Sequence, residues 1–338
     1  MKRPPPSDDR AWCHAALPRV SRTFALNIRV LDGPLREAVT TGYLLCRAAD
    51  ALEDSWPGPA AEVGERFDLL LGALEGDDAA CASLARAARA VADGRSDLEL
   101  LAELPRVWRV WRGLPAGDGA ILAEGVRVLA TGMRRYATRA AVRPAEAPYL
   151  DTEDELHDYC WVVAGCVGVM LTRLFGGRRP AAGAQGADRE RRRLELAPIV
   201  GEALQLTNIL LDWPADVRRG RCYMPAAWLA EHGLTPRDLV GRAHPGALEI
   251  ARRLEALARA ALARVPAYLE TLPREALRYR LFVVWPALWA LASLECARSD
   301  PAFPWGERRP RLSRLRLSWE AARGLVDPGG GVLRAAAG

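Results

Sequence analysis

The stretch YLLCRAADALEDS, residues 43–55, decides the fold. Its apolar residues recur at helical spacing, and Asp50 and Asp54 stand one turn apart on the same face, with Glu53 beside them. Trp56, Pro57 and Gly58 follow and stop the helix. Acids at a helix C-terminus oppose the negative end of its dipole, at a cost of about 0.3–1 kcal/mol each. Taken alone, the stretch reads most simply as an exposed acidic helix end screened by water.

A second stretch, ALQLTNILLDWPADVRRGRCYMP, residues 203–225, changes that reading. Asp212 and Asp216 are again four apart, again after an apolar helical run, and again shortly before a helix-ending Gly220. Asn208 precedes Asp212 by four and adds an oxygen to that face. Facing each other across a cavity, the two pairs would hold Mg²⁺, which takes one or two carboxylates and completes its octahedron with water and substrate phosphate. The metal would offset the misplaced negative charge and bring a diphosphate with it. Such phosphates also need cations. Arg22, Arg47, Arg218, Arg219 and Arg221 are candidates by proximity to the two pairs, and arginine binds phosphate bidentately. For any one of them a solvated surface role is the plainer reading, because the chain is so rich in arginine.

A third stretch, DYCWVVAGCVGVMLTRLFG, residues 158–176, carries Gly165 and Gly168 inside an apolar helix. Each costs about 1 kcal/mol against alanine. They allow either tight helix packing or a floor for a long apolar substrate. Tyr159 sits at the start of this stretch as a polar group among apolar ones.

Working outward, Ala, Leu and Arg dominate the 338 residues, Lys2 is the only lysine, and no strand alternation persists. This favours an all-α protein. Helices are predicted over 34–54, 60–75, 79–93, 97–112, 117–139, 153–175, 190–213, 235–239, 246–272 and 274–298, around one core with no dividing linker. Thr152 with Glu155 predicts a capping box, and Pro214 predicts a kink. Residues 1–10 read as a flexible tail, 11–325 as the domain, 176–188 as a surface loop, and 326–338 as a disordered tail. The seven cysteines form no CxxC pair and read as buried reduced thiols. MKRPPPSDDR lacks the apolar core of a secretory signal, so a cytoplasmic protein is expected. The uncharged runs Tyr159–Thr172 and Leu281–Leu294, fourteen residues each, read as buried helices too short to span a membrane. A peripheral contact with the inner face of the membrane stays open, as does the oligomeric state, with a monomer allowed. The net charge of +5 is diffuse and interleaved with acids, so nucleic acid is not an expected partner.

The blocks 21–55, 159–168 and 203–225 together resemble squalene and phytoene synthases, in the same order and with similar spacing; GRCYMP looks like bacterial members, and LDG…LR…RAADALED looks closer to squalene synthases. The resemblance covers about residues 12–298. It implies a single-domain all-α isoprenoid-synthase fold with a central cavity, and head-to-head condensation of two prenyl diphosphates through a cyclopropylcarbinyl diphosphate. It implies Mg²⁺ on Asp50, Glu53, Asp54, Asn208, Asp212 and Asp216. Catalytic roles fall on Asp50, Asp54, Tyr159, Asp212 and Asp216, with Tyr159 assisting proton removal. Substrate contacts fall on Ser21, Arg22, Arg47, Gly165, Gln205, Asn208 and Arg221. NADPH is the reductant it implies for a second, rearranging step.

Two departures stand out. Leu211 occupies the place where members usually carry arginine, and Ala215 the place of a frequent acid. Loss of that arginine weakens phosphate binding or the second step. Two farnesyl diphosphates are the first expected substrates and two C20 donors the second. A catalytically silent assembly factor is the reading from another class, and retention of all four spaced aspartates argues against it.

Overall fold

The computed structural model describes residues 7–57, 59–144, 147–178 and 183–335. Among them every regular element is helical, as the composition predicts. In chain order these are α1 (Ser7–Val20), α2 (Arg22–Ile28), α3 (Gly33–Asp54), α4 (Val63–Leu74), α5 (Asp78–Val91), α6 (Ser96–Ala102), α7 (Leu104–Arg112) and α8 (Ala116–Ala141). Then follow α9 (Glu153–Cys160), a π segment (Trp161–Gly165), α10 (Cys166–Gly176), α11 (Gly183–Arg218), α12 (Ala226–Glu231), α13 (Pro245–Leu262) and α14 (Val265–Glu270). The chain ends with α15 (Leu277–Ser299), α16 (Arg314–Val326) and α17 (Gly331–Ala335).

Where the sequence led us to expect one core without a divide, the helices gather into two compact units. One comprises residues 1–142 with 169–180, the other 143–168 with 181–338.

The first unit is organised by α3. Pro34 occupies its first turn, where a missing N–H costs nothing, and Leu35, Val39, Leu44, Leu45 and Leu52 bury its apolar face. The predicted tail over 1–10 is corrected at its end: α1 starts at Ser7, and residues 1–6 lie outside the described ones. The cause is Asp9. It is buried, and its carboxylate accepts from Arg109 Nε at 2.6 Å and Nη2 at 3.0 Å and from Arg106 at 3.3 Å. The helix predicted over 97–112 is two helices, because Pro105 opens α7 afresh.

The second unit is built on α11, which runs thirty-six residues through Pro198 and Pro214. The loop predicted over 176–188 is corrected: residues 183–188 form the first turns of α11, carried by the helix-forming Arg- and Glu-rich run 189–195 that follows, while 179–182 lie outside the described residues. Thr152 caps α9 by accepting from Glu155 N at 3.2 Å, but Glu155 reaches back to Asp151 N at 2.7 Å, one residue short of a full capping box. The helix predicted over 246–272 divides, with Pro266 opening α14. The tail predicted over 326–338 is corrected too, apart from 336–338, which lie outside the described residues. Leu333 is buried and Val332 N donates to Asp327 Oδ2 at 3.1 Å, holding α17 in place.

All seven cysteines are free thiols, five of them buried. The two apolar runs read as too short for a membrane sit inside longer helices. Glu153–Gly176, Gly183–Arg218 and Leu277–Ser299 are each long and apolar enough to cross a bilayer by length and composition. Within the protein, 56%, 44% and 72% of their most apolar windows are buried.

Candidate active site

In the first unit, Tyr43, Arg47, Asp50 and Asp54 fall on one face of α3 by their spacing. The Arg47 guanidinium forks onto Asp97, with Nε to Oδ1 at 2.9 Å and Nη2 to Oδ2 at 2.7 Å, and Ser55 Oγ donates to the same carboxylate at 3.1 Å. This bidentate pair holds Arg47 rigidly on the acidic face. Its Nη1 lies 3.6 Å from Asp50 Oδ2.

Asp50 keeps about a third of its side chain accessible (36%). Burial of its surroundings nevertheless pushes its carboxyl up to about 7, against the pull of Arg47 and with the help of Asp54 and Asp97. Glu53 is half-buried and Asp54 exposed at the helix end. Ser21 caps α2, accepting from Phe24 N at 3.3 Å, and lies beside the Tyr43 phenol, which burial raises to about 12. Arg22 follows it, exposed, in the first turn.

In the second unit, Gln205, Asn208, Asp212 and Asp216 are spaced three, four and four apart and share one face of α11, each half-buried. Both Asp212 oxygens accept from Arg309 Nη1, at 2.7 and 2.9 Å. Burial raises the Asp212 carboxyl even so, against Arg309, Arg219 and Arg311. Arg219 pairs with Asp216. Arg218 was a candidate phosphate cation; the structure gives it another task. It donates to Pro214 O at 2.7 Å, Gly306 O at 2.7 Å and Trp305 O at 3.0 Å, tying the segment that delivers Arg309 to the end of α11. Arg221 N donates to Asp216 O at 2.8 Å.

Leu211 is buried in the core of this unit, at 3% exposure, so the family's arginine position carries an apolar side chain packed inward. Arg309 supplies a cation to the neighbouring aspartate from ninety-seven residues away.

Tyr159 is buried and stacks on Tyr223, with ring centroids 5.1 Å apart and planes at 29°. Tyr149 meets both rings, at 5.9 and 5.0 Å. The glycines nearby resolve in favour of tight packing. A Cβ on Gly168 would stand 2.3 Å from Ala197 O, and one on Gly201 2.2 Å from Ala164 O, so only glycine lets these backbones touch. At Gly165 the approach is looser, 3.1 Å to Trp161 Cδ1 and 3.4 Å to Pro198 O. The same stretch is wound as the π segment Trp161–Gly165, a form often found at functional sites.

The sequence thus places each motif on one helix face, and the structure adds Asp97, Arg309, Tyr149 and Tyr223. Tyr223 lies in the quoted GRCYMP block, which does not single it out; Asp97, Arg309 and Tyr149 have no local signal and act through contacts from outside the motifs.

The donor set is all oxygen and suits a hard cation such as Mg²⁺. Burial raises the carboxyls of Asp50 and Asp212 even with Arg47 and Arg309 beside them. Among the described residues no three His, Cys, Asp or Glu side chains cluster as a metal site, so the six expected ligands are not gathered into one such group.

The chain matches the Squalene/phytoene synthase family over residues 17–316. It is 30% identical to human squalene synthase over 216 residues, 63% of this chain and 46% of that protein. It is 30% identical to the phytoene synthase of Pseudescherichia vulneris over 241 residues, 69% of this chain and 65% of that protein. The matched stretches span about half to two thirds of these relatives' length. Among solved structures, a ligand complex of TcSQS aligns over 98% of this chain and 90% of that one, with a TM-score of 0.76 and 23% identity. Squalene synthase HpnC from Alicyclobacillus acidocaldarius aligns over 86% and 93%, with a TM-score of 0.56 and 22% identity. The helices are those of the all-α isoprenoid-synthase fold, and the chain belongs to the squalene/phytoene synthase family of prenyltransferases.

Proposed function

We propose that this chain joins two farnesyl diphosphates head to head, giving presqualene diphosphate and then squalene. The observation that carries the reading is the pair of acidic helix faces, Arg47–Asp50–Asp54 on α3 and Asn208–Asp212–Asp216 on α11. Each presents a carboxyl that burial has raised and that gains from a cation.

Asp50, Glu53 and Asp54 would hold Mg²⁺ for the donor diphosphate, and Asn208, Asp212 and Asp216 would complete the clamp. Bound there, Mg²⁺ supplies Lewis-acid stabilisation of the leaving diphosphate. Arg47, fixed by Asp97, is oriented to add its charge as the carbon–oxygen bond of the donor breaks. Apolar walls would have to exclude water from the allylic cation. The double bond of the second chain attacks it, forming a carbon–carbon bond. Loss of a proton then closes the cyclopropane ring, and Tyr159, with Tyr149 and Tyr223 against it, would assist that transfer. The rearrangement to squalene would break the remaining carbon–oxygen bond, release the second diphosphate and take hydride from NADPH onto the resulting cation.

Condensation of two C20 donors to phytoene is the second reading. It is favoured by 43% identity over 110 residues to a 15-cis-phytoene synthase of Enterobacter agglomerans. A silent assembly factor is the third, favoured by Leu211 and Ala215.

The test is product analysis of the purified protein with C15 or C20 diphosphates and Mg²⁺, with and without NADPH. Squalene formed from the C15 donor only when NADPH is present is the expected result. Turnover of the C20 donor alone overturns the substrate assignment, and absence of any coupling overturns the enzyme assignment.

A further inference from the structure

Helix α16 presents two opposite faces. The inner one packs on α15 in the second unit: Trp285 Nε1 donates to Ala321 O at 3.1 Å, Trp289 Nε1 donates to Leu317 O at 3.1 Å, and Gly324 lies against the Trp285 ring. At 3.6 residues per turn, Leu315, Trp319, Ala322 and Val326 fall within an arc of about 60° on the other side. That side faces out. Leu315 is 85% exposed, Trp319 60%, Leu325 56% and Val326 88%. A soluble helix normally turns such a stripe inward; here the inward place is already filled.

The flanks of the stripe are basic. Residues 308–323 hold six arginines and one glutamate. That glutamate, Glu320, is buried beneath the helix and paired with Arg316 at 2.8 Å and Arg323 at 2.7 Å. Arg316, which also meets Glu295 at 3.1 Å, and Arg323 border the stripe on one side and Arg314 on the other, with the exposed Arg308 and Arg311 just before the helix; Arg309 between them turns to Asp212. An apolar strip carrying a tryptophan, bordered by arginines that can reach outward, is the pattern of a helix lying in a membrane interface. An adjacent row of arginines complements anionic headgroups.

We propose that α16 with the preceding segment 308–313 is the surface by which this protein docks on an anionic lipid bilayer. Leu315, Trp319, Leu325 and Val326 enter the headgroup boundary and the exposed Arg308, Arg311 and Arg314 bind lipid phosphates. The proposal does not depend on which prenyl donor the protein uses, and its test needs no turnover.

The experiment is flotation of the full chain with vesicles of phosphatidylglycerol and phosphatidylcholine, or of phosphatidylcholine alone, across a salt series. It compares the native chain with the exposed-face variant Leu315→Ser/Trp319→Ser/Val326→Ser and with Arg311→Gln/Arg314→Gln. Circular dichroism and the melting temperature check that each remains folded, and sedimentation checks self-association. The expected result is binding to the anionic vesicles that weakens with salt, falls at least tenfold in the triple variant, and falls severalfold in the arginine variant. Failure to float, equal binding to both vesicle types, or binding that survives the triple variant would overturn the proposal. A dimer that the triple variant dissolves, without vesicle binding, would assign the face to a second copy and overturn it equally.

Discussion

The two acidic motifs look alike in sequence and are supported differently. On α3 the cation belongs to the motif's own helix: Arg47 sits three residues before Asp50 and is clamped by Asp97. On α11 the position where the family usually carries arginine is the buried Leu211, and the cation on Asp212 comes from Arg309, held in reach by Arg218 on the carbonyls of Trp305 and Gly306. One motif is self-contained. The other depends on the ordering of a distant segment. A pattern of spaced acids therefore places carboxylates on one helix face without identifying where their counter-charge originates.

The largest effects should come from the acids common to both motifs. Asp54→Ala and Asp212→Ala are each expected to lower kcat by about 10²–10³-fold, the scale for losing a group that stabilises transition-state charge. Circular dichroism of each variant should stay native. A variant retaining full turnover would break the equivalence of the motifs. Next comes the contrast in cations. Arg47→Ala should cost about 10²-fold in kcat/KM, and Asp97→Asn about tenfold, because Arg47 then loses its fork but keeps its charge. Arg309→Ala should cost about tenfold, with partial rescue by lysine. If Arg309→Ala left kcat/KM unchanged, the second motif would have no distant cation and the comparison would fail.

Stability effects are smaller and separate the two units. Gly168→Ala forces a Cβ to 2.3 Å from a backbone oxygen and should cost about 1–3 kcal/mol in denaturant melts, whereas Gly165→Ala should cost less. In the first unit, Asp9 is held below its ordinary carboxylate range chiefly by its hydrogen bond to Arg109. A carboxyl depressed in the folded state contributes stability above its unfolded value, near 3.8, and loses it as pH falls through the folded value. Acid melts should therefore show a loss below about pH 4 that Asp9→Asn removes, with Asp9→Asn about 1.5–3 kcal/mol less stable at neutral pH. An unchanged acid limb would show that α1 is held by other contacts.

Much of this was readable in advance, and the failures share one cause. Local rules found α3 to its last residue, because Pro34 and the acid-rich end mark its limits. They merged α6 with α7 and α13 with α14, where Pro105 and Pro266 restart helices without a loop. They lost α1 and α17 because Asp9 and Leu333 acquire their importance only from partners distant in sequence. The same holds at the candidate site: spacing puts Asp50 with Asp54, and Asn208 with Asp212 and Asp216, each set on one helix face, whereas their partners Asp97 and Arg309 carry no motif of their own.

The central claim is that the two acidic faces act on one diphosphate. The direct measurement is a double-mutant cycle in the Mg²⁺-dependent affinity for an inert thio analogue of farnesyl diphosphate, using Asp54→Ala, Asp212→Ala and the double variant. Acting as a unit, the two losses should be strongly non-additive, with the double variant little worse than the weaker-binding single one. Losses that add independently within about 0.5 kcal/mol would show two separate sites and contradict the account.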